Sequence, residues 1–180
     1  MKGIILSEFV EFLEITLGED VAQQIIDDSG VASQGAYSRV GQYDYQELIQ
    51  LLTQAVEQTN VDAGDLVGPF ADHLFGVFHR DYSVFFEGVD SAAQMLTQID
   101  DHIHVEVKKL YPDAELPKFS FKKEGSKLLL DYKSPRPLAM VAHALTLGCL
   151  KFFGDKEFLL SAEIADDQCS AQFVIKTLAV

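Results

Sequence analysis

The chain has 180 residues, of which 48% are hydrophobic and 23% charged, enough apolar sequence for one domain with a sizeable core. Its formal net charge of −14 argues against nucleic acid or an anionic membrane as partner, because phosphate groups call for a basic face. We expect no signal peptide, and the sequence has no apolar run of the length that spans a bilayer, about 18 residues. We therefore expect a soluble, cytoplasmic protein.

Helical periodicity dominates the first two-thirds of the chain. Apolar residues recur every three to four positions, and in the first segment Glu8, Glu11 and Glu14 lie between them. Gly residues and a Tyr-Pro pair mark helix ends, and Ser or Asp residues mark helix starts. Five helices are predicted: one from about Ile5 to Gly18, one up to Gly30, one from an Asp44-x-x-Glu47 capping box to Thr59, one from Asp62 to about His79, and one from Ser91 to Leu110.

The final third changes to strand-like patterns. Phe119 and Phe121 alternate with polar residues, and a turn at Gly125 leads into a second alternating stretch, 128–132, which together predict a hairpin. A helix then begins near Pro137 and stops at Gly154, and two further strands are predicted at 158–164 and 172–176. The order predicts a single α+β domain with a helical lobe over about 1–112 and a β-β-α-β-β lobe with an antiparallel sheet over about 113–180.

The pentapeptide Tyr132-Lys133-Ser134-Pro135-Arg136 places three hydrogen-bond donors on one side of an extended backbone. Alternate side chains of a strand share a face, so Tyr132, Ser134 and Arg136 point together. Such a row suits a carboxylate or phosphate ligand, with about 1.5–3 kcal/mol for each charge-assisted bond. From the pattern alone, a solvated strand edge is the competing interpretation.

Two histidines on the last long helix are candidate metal ligands. His102 and His104 are two positions apart, which is roughly 200° around a helix, so one metal ion cannot bind both. They lie on opposite borders of the apolar stripe, so periodicity does not choose between them, and either is also typical of an ordinary boundary histidine. The sequence has no His-Glu-x-x-His motif and no paired cysteines, and Cys149 and Cys169 form no zinc motif.

These features occur together in a known family. Residues 1–5 (MKGII), the spacing His104-x6-Tyr111-Pro112-x4-Pro117 and the strand motif Tyr132-x-Ser-x-Arg136 resemble the H-NOX family (haem nitric oxide/oxygen binding). The resemblance covers nearly the whole chain and is of the bacterial stand-alone type. The family also includes the haem domain of soluble guanylate cyclase.

The resemblance implies a cofactor and a role for each site residue. The cofactor is haem b, lying between the two lobes, with His104 as the axial ligand of its iron and His102 as a neighbour. Tyr132, Ser134 and Arg136 match the residues that hold the haem propionates, and Pro117 matches a proline that presses on the porphyrin and distorts it. Six apolar residues match the distal pocket: Ile5, Phe9, Leu74, Phe78, Val141 and Leu145.

The resemblance also implies a gas preference. With His104 on one side and apolar residues on the other, a ferrous haem would be five-coordinate and open to a gas. Relatives that hold O₂ donate a hydrogen bond from a tyrosine at the position of Val141, and His143 is the one nearby alternative donor. We therefore expect NO and CO to bind and O₂ to bind little.

Signalling is expected to follow from release of His104 when NO binds, a two-state change that a separate protein can detect. Relatives of this type act in trans on a histidine kinase or on a diguanylate cyclase or phosphodiesterase, so the resemblance implies a sensor and not an enzyme. Some relatives hold zinc near the C-terminus; only Cys169 is available there, and no zinc site is expected.

Three other functions remain open at this point. A haem enzyme such as a peroxidase would need a distal acid–base pair, whereas the matched distal residues are apolar. A haem-free module could use Tyr132, Ser134 and Arg136 to bind a lipid or nucleotide phosphate. In a bare interaction domain the same three residues would be structural. The absorption spectrum of the purified protein distinguishes the haem-binding functions from the other two.

Overall fold

The computed structural model describes residues 1–154 and 157–177. Helices occupy the first part of the chain and a four-stranded antiparallel sheet the last, which confirms the predicted α+β class. A 3₁₀ helix covers Ser83–Phe86, and a π-helix covers Ile99–Ile103. The helices are α1 Gly3–Leu17, α2 Glu19–Ser29, α3 Gln46–Thr59, α4 Ala63–Asp81, α5 Ala92–Thr97, α6 His104–Leu110 and α7 Ala139–Phe153; the strands are β1 Lys118–Glu124, β2 Lys127–Lys133, β3 Glu157–Ile164 and β4 Ser170–Thr177.

The chain divides into two compact units, a first unit of Met1–Leu74 and a second unit from Phe75 onward. The change from helix to sheet nevertheless falls where the sequence predicts it, between the end of α6 and the start of β1. Within the described residues, no helix is both long enough and apolar enough to cross a bilayer. The prediction of a single domain over 1–180 stays a prediction.

The first unit packs α1, α2 and α3 around large apolar side chains that are almost completely buried: Leu6, Phe9, Leu13, Ile25, Leu51 and Phe70. The start of α1 lies against the segment 38–43, where the amide of Gly3 donates to the carbonyl oxygen of Gly41 at 2.9 Å. A Cβ on Gly3 would come within 1.9 Å of the carbonyl oxygen of Ser38. This close approach of two backbones requires glycine at position 3.

The predicted capping box at the start of α3 is wrong in its second half. The Asp44 carboxylate accepts a bond from the amide of Gln46 at 3.0 Å, as a residue at a helix start should. The Glu47 carboxylate is buried instead, and it accepts bonds from the Tyr37 hydroxyl at 2.8 Å and the Ser33 hydroxyl at 3.0 Å. Glu47 therefore fastens the 31–43 loop to α3 rather than closing the helix end.

The second unit is built on the sheet, whose strand order is β1-β2-β4-β3. Alternate residues of β2 and β4 face one side, with Leu130 opposite Phe173 and Tyr132 opposite Ala171. These side chains form one core with buried residues of α7 such as Cys149. The predicted hairpin between β1 and β2 is confirmed, with Gly125 in the left-handed conformation at φ +60°.

The long helix predicted from Ser91 to Leu110 is interrupted. Its start is as predicted, because the Ser91 hydroxyl accepts a bond from the amide of Gln94 at 3.1 Å. After α5, however, the amide of Ile103 bonds to the carbonyl oxygen of Gln98, five residues back, at 3.1 Å. The resulting π-turn inserts an extra residue immediately before His104, so regular helical periodicity does not describe which way this histidine faces.

Candidate functional site

The side chain of His104 is held at one ring nitrogen by an acidic residue one turn earlier. Its Nδ1 lies 2.7 Å from Oδ1 of Asp100, and its side chain is only 17% exposed. Burial lowers the pKa of His104, and the nearby Asp100 carboxylate opposes that shift without cancelling it. The ring is therefore neutral near pH 7, with its proton on Nδ1 donated to Asp100, and its Nε2 lone pair is available to a metal.

Asp100 also ties this helix to the sheet. Its second oxygen, Oδ2, accepts a bond from the backbone amide of Phe119 on β1 at 2.9 Å. The ring of Phe119 lies between those of His104 and Tyr132, at centroid distances of 6.0 Å and 5.3 Å. The sequence interpretation missed Asp100, although a carboxylate four residues before a candidate histidine ligand is a readable signal on a helix.

The structure separates the two candidate histidines that periodicity leaves equivalent. His102 is exposed, whereas His104 is largely buried and paired with Asp100. The separation comes from the π-turn, because the insertion changes the angular positions of both residues relative to the rest of the helix. Of the two candidates, His104 is the one whose ring is largely buried and oriented by a carboxylate, and its assignment as an iron ligand stays a prediction.

The three donors of the Tyr-x-Ser-x-Arg motif lie at the end of β2 and just beyond it. Tyr132 is 2% exposed, and burial raises the pKa of its hydroxyl, so it stays protonated near pH 7. A hydrogen bond joins the Tyr132 and Ser134 side chains, and the Ser134 hydroxyl also accepts from the backbone amide of Arg136 at 3.0 Å. The motif forms one connected polar cluster rather than a solvated strand edge.

The guanidinium of Arg136 already binds a carboxylate. Its Nη2 donates to the Glu115 carboxylate, and its Nη1 lies 3.4 Å from the Glu115 carbonyl oxygen. The Arg136 side chain is 14% exposed, whereas that of Glu115 is 69% exposed, so the arginine is fixed and the carboxylate is the replaceable partner. The Glu115 carboxylate stands in for the acidic group of a ligand, and the donor set fits a haem propionate. Pro117 is partly buried in the connection from α6 to β1.

The residues predicted to line the distal pocket are apolar and belong to both units. Ile5, Phe9 and Leu74 lie in the first unit, where Phe9 and Leu74 are fully buried. The other three, Phe78, Val141 and Leu145, lie in the second unit and are partly buried. Their assignment to a gas pocket stays a prediction.

His143, the alternative donor, packs onto the sheet. Its ring stacks on Phe173 of β4 at a centroid distance of 5.7 Å, and burial lowers its pKa. Val141 and Leu145 are four positions apart and share one helix face, whereas His143 lies roughly 200° from Val141 around α7. Among the described residues, no group of three or more His, Cys, Asp or Glu side chains could hold a metal ion.

Comparison with known proteins places these features in one class. Residues 2–157 match the family model described as haem-NO-binding. The unliganded Fe(II) H-NOX protein from K. algicida is 34% identical, with a TM-score of 0.91 over 100% of this chain and 98% of that one. The IWP-051-bound Fe(II)CO H-NOX from Shewanella woodyi is 31% identical, with a TM-score of 0.82 over 99% and 95%. The Fe(II)NO H-NOX protein from S. oneidensis is 23% identical, with a TM-score of 0.88 over 99% and 100%, and supports the fold alone. No curated protein matches the chain.

The family match over residues 2–157 and this helix-and-sheet architecture define the class of haem-binding sensor domains. The chain belongs to the haem-NO-binding, or H-NOX, family of haem-based gas sensors.

Proposed function

We propose that this chain is a nitric oxide sensor that binds haem b through His104, takes up NO and CO, and binds little O₂. The observation that carries the proposal is the His104–Asp100 pair. Its Nδ1 contact of 2.7 Å fixes the ring and its tautomer, so that Nε2 is the nitrogen that meets the iron. When bound, the haem supplies a ferrous iron with an open position for a diatomic gas.

The chain's polar cluster anchors the propionates in this proposal. Tyr132 and Ser134 donate hydroxyl hydrogen bonds, and Arg136 exchanges its Glu115 partner for a propionate. The exchange costs little, because Glu115 is exposed and regains full hydration when it leaves. Pro117, in the same connection as Glu115, presses on the porphyrin.

Gas selectivity rests on apolar residues around the open position. The proposed lining contains no hydrogen-bond donor: Ile5, Phe9, Leu74, Phe78, Val141 and Leu145. Bound O₂ carries partial negative charge and needs such a donor, whereas NO and CO bind ferrous iron without one. His143 supplies none, because its ring is stacked on Phe173.

In this proposal His104 would hold the haem iron, and its release when NO binds would begin the signal. Asp100 connects His104 to the backbone of β1 at Phe119, so a displaced histidine changes the hydrogen bonding between the π-helix and the sheet edge. A separate histidine kinase, or a diguanylate cyclase or phosphodiesterase, detects this change in the cytoplasm. The chain then regulates the partner's activity and is not itself an enzyme.

The absorption spectrum of the reduced protein tests the proposal. We expect a Soret band from a five-coordinate ferrous haem, a shift to a five-coordinate nitrosyl spectrum at stoichiometric NO, a six-coordinate spectrum with CO, and no stable oxy spectrum in air. A colourless protein that refuses added haemin would overturn the cofactor assignment. A persistent six-coordinate nitrosyl at room temperature would overturn the release of His104 alone, and a stable oxy form would overturn the gas preference alone.

A further inference from the structure

Glu8 is a buried carboxylate in the middle of an apolar helix face. Its side chain is 1% exposed, although a glutamate side chain is ordinarily exposed to solvent. Glu8 shares its face with Ile5, Phe9 and Phe12, because these residues are spaced at i, i+3, i+4 and i+7 from Ile5. Burying a carboxylate is costly unless other groups donate hydrogen bonds to it, so Glu8 requires partners on this face.

Two cationic or polar side chains meet the Glu8 carboxylate. His73 of α4 places its Nε2 3.0 Å from Oε2, and Arg39 of the 31–43 loop donates to Oε1. Arg39 balances the charge and remains 41% exposed, whereas His73 is 22% exposed and lies against the ring of Phe12 at 6.1 Å. The contact between Glu8 and His73 therefore joins α1 directly to α4.

Aromatic contacts also join these two helices. Phe70 packs edge-on against Phe9 at a centroid distance of 4.9 Å and lies 5.7 Å from Phe12. Apolar contacts are non-directional and tolerate sliding or rotation, whereas a hydrogen bond fixes both distance and angle. The Glu8–His73 bond thus supplies a directional contact between α1 and α4.

We propose that Glu8 and His73 are a positioning pair for the gas pocket, an inference that rests on the proposed function. The residues next to them, Phe9 and Leu74, are fully buried and belong to the proposed distal lining, as does Ile5 one turn earlier. By locking α1 to α4, the pair holds Ile5, Phe9 and Leu74 at fixed separations. It controls how easily a diatomic gas enters and how the bound gas is confined, without touching it.

The test compares substitutions at His73 in the haem-loaded protein. His73→Leu removes the donor, and His73→Asn keeps an amide that is too short to reach Glu8; both should change the CO association rate severalfold and shift the C–O stretching frequency. His73→Gln, whose longer amide can donate to Glu8, should restore wild-type values. The Leu74 methyl resonances should move in the first two variants and return in the third.

His79→Leu is the matched control, because His79 is an exposed histidine on the same helix whose ring lies against Phe86 and Phe152 instead. If folded His73→Leu or His73→Asn protein keeps the wild-type CO rate and C–O frequency, the pair is merely structural and the inference is wrong. If Leu fails to fold, the Asn-to-Gln comparison decides. If the wild-type protein binds no haem, the proposed function is wrong. If the wild-type protein binds CO and the His73 variants bind it in the same way, only the inference about the pair is wrong.

Discussion

Within the described residues, a histidine is paired with a carboxylate in each compact unit, and the two pairs have opposite arrangements. In the first unit, the Glu8 carboxylate is buried and its partner His73 is the more exposed member. In the second, His104 is 17% exposed and its partner Asp100 is 35% exposed. The ring nitrogen that contacts the carboxylate also differs: it is Nε2 in His73 and Nδ1 in His104.

The same two chemical groups serve different purposes in the two units. A buried carboxylate that collects donors from separate segments, here His73 and Arg39, holds those segments together. A largely buried histidine that binds a partly exposed carboxylate through Nδ1 alone keeps Nε2 available, as a metal ligand must. The first arrangement predicts effects on stability and position, and the second predicts effects on cofactor binding.

Replacing His104 should produce the largest effect on haem binding. A small effect would contradict the different roles assigned to the two histidine–carboxylate pairs. His104→Gly removes the proposed iron ligand, so the purified protein should lose nearly all of its haem, and added imidazole should restore it. The measurement is the ratio of Soret to protein absorbance. His102→Gly is the matched control and should retain haem, because His102 is exposed. If His102→Gly lost its haem and His104→Gly kept it, the iron ligand would be His102 and the assignment of His104 would be wrong.

Asp100→Asn should weaken haem binding without abolishing it. The amide cannot supply the negative charge that orients and polarises the His104 ring, and loss of such a partner typically costs about 10–100-fold in metal affinity. Haem transfer to apomyoglobin would measure the loss, and a lower iron–histidine stretching frequency would show its cause. The exposed neighbour Asp101 provides the control, since Asp101→Asn should match wild type in both measurements. Equal effects at the two positions would mean that general surface charge, not the contact with His104, matters.

Arg39→Met should destabilise the first unit while leaving the haem spectrum in place. The substitution keeps a long side chain but removes one partner of the buried Glu8 carboxylate, and we expect a loss of about 1–3 kcal/mol in the free energy of unfolding, since Arg39 is 41% exposed and His73 still binds Glu8. Urea unfolding measures it. Arg80→Met removes the exposed Arg80–Asp81 pair and should cost less than about 1 kcal/mol. Equal losses in the two variants would contradict the structural role assigned to the Glu8 cluster.

The parts that the sequence predicts are those set by local pattern. The β1–β2 hairpin follows from alternation and Gly125. Strand geometry accounts only for Tyr132, because β2 ends at Lys133 and both Ser134 and Arg136 lie beyond it, where the Ser134 hydroxyl accepts from the Arg136 amide. The local pattern also puts Glu8 on the apolar face of α1, but it does not reveal the partners of this buried carboxylate, which are distant in sequence: Arg39 is 31 residues away and His73 is 65. No local signal reports such contacts.

The π-turn before His104 is missed for a related reason. A regular helix from Ser91 to Leu110 satisfies the apolar periodicity, and nothing in residues 99–103 forbids it. What accompanies the insertion in the structure is a contact from another element, the bond from the Phe119 amide on β1 to Asp100. Which histidine is buried therefore depends on tertiary structure, and only the spacing to Tyr111-Pro112, read as a family resemblance, pointed to His104 beforehand.

The smallest effect is expected at His143, a histidine that has, among the described residues, no carboxylate partner of the kind that His73 and His104 have. Burial lowers the pKa of its ring. The unfolded chain therefore takes up this proton first as the pH falls through about 6.5, so stability present at higher pH is lost below that value.

His143→Phe keeps a ring on Phe173 and removes the proton, so it should flatten the fall in unfolding free energy between about pH 7.5 and about pH 5. The change should be well under about 1.4 kcal/mol per pH unit, the limit for one proton, since the ring is only partly buried. His104 titrates in the same direction but is present in both proteins, so its contribution cancels in the difference. Urea unfolding of the two proteins across this range measures the slope, and identical slopes would show that burial on the sheet does not perturb His143.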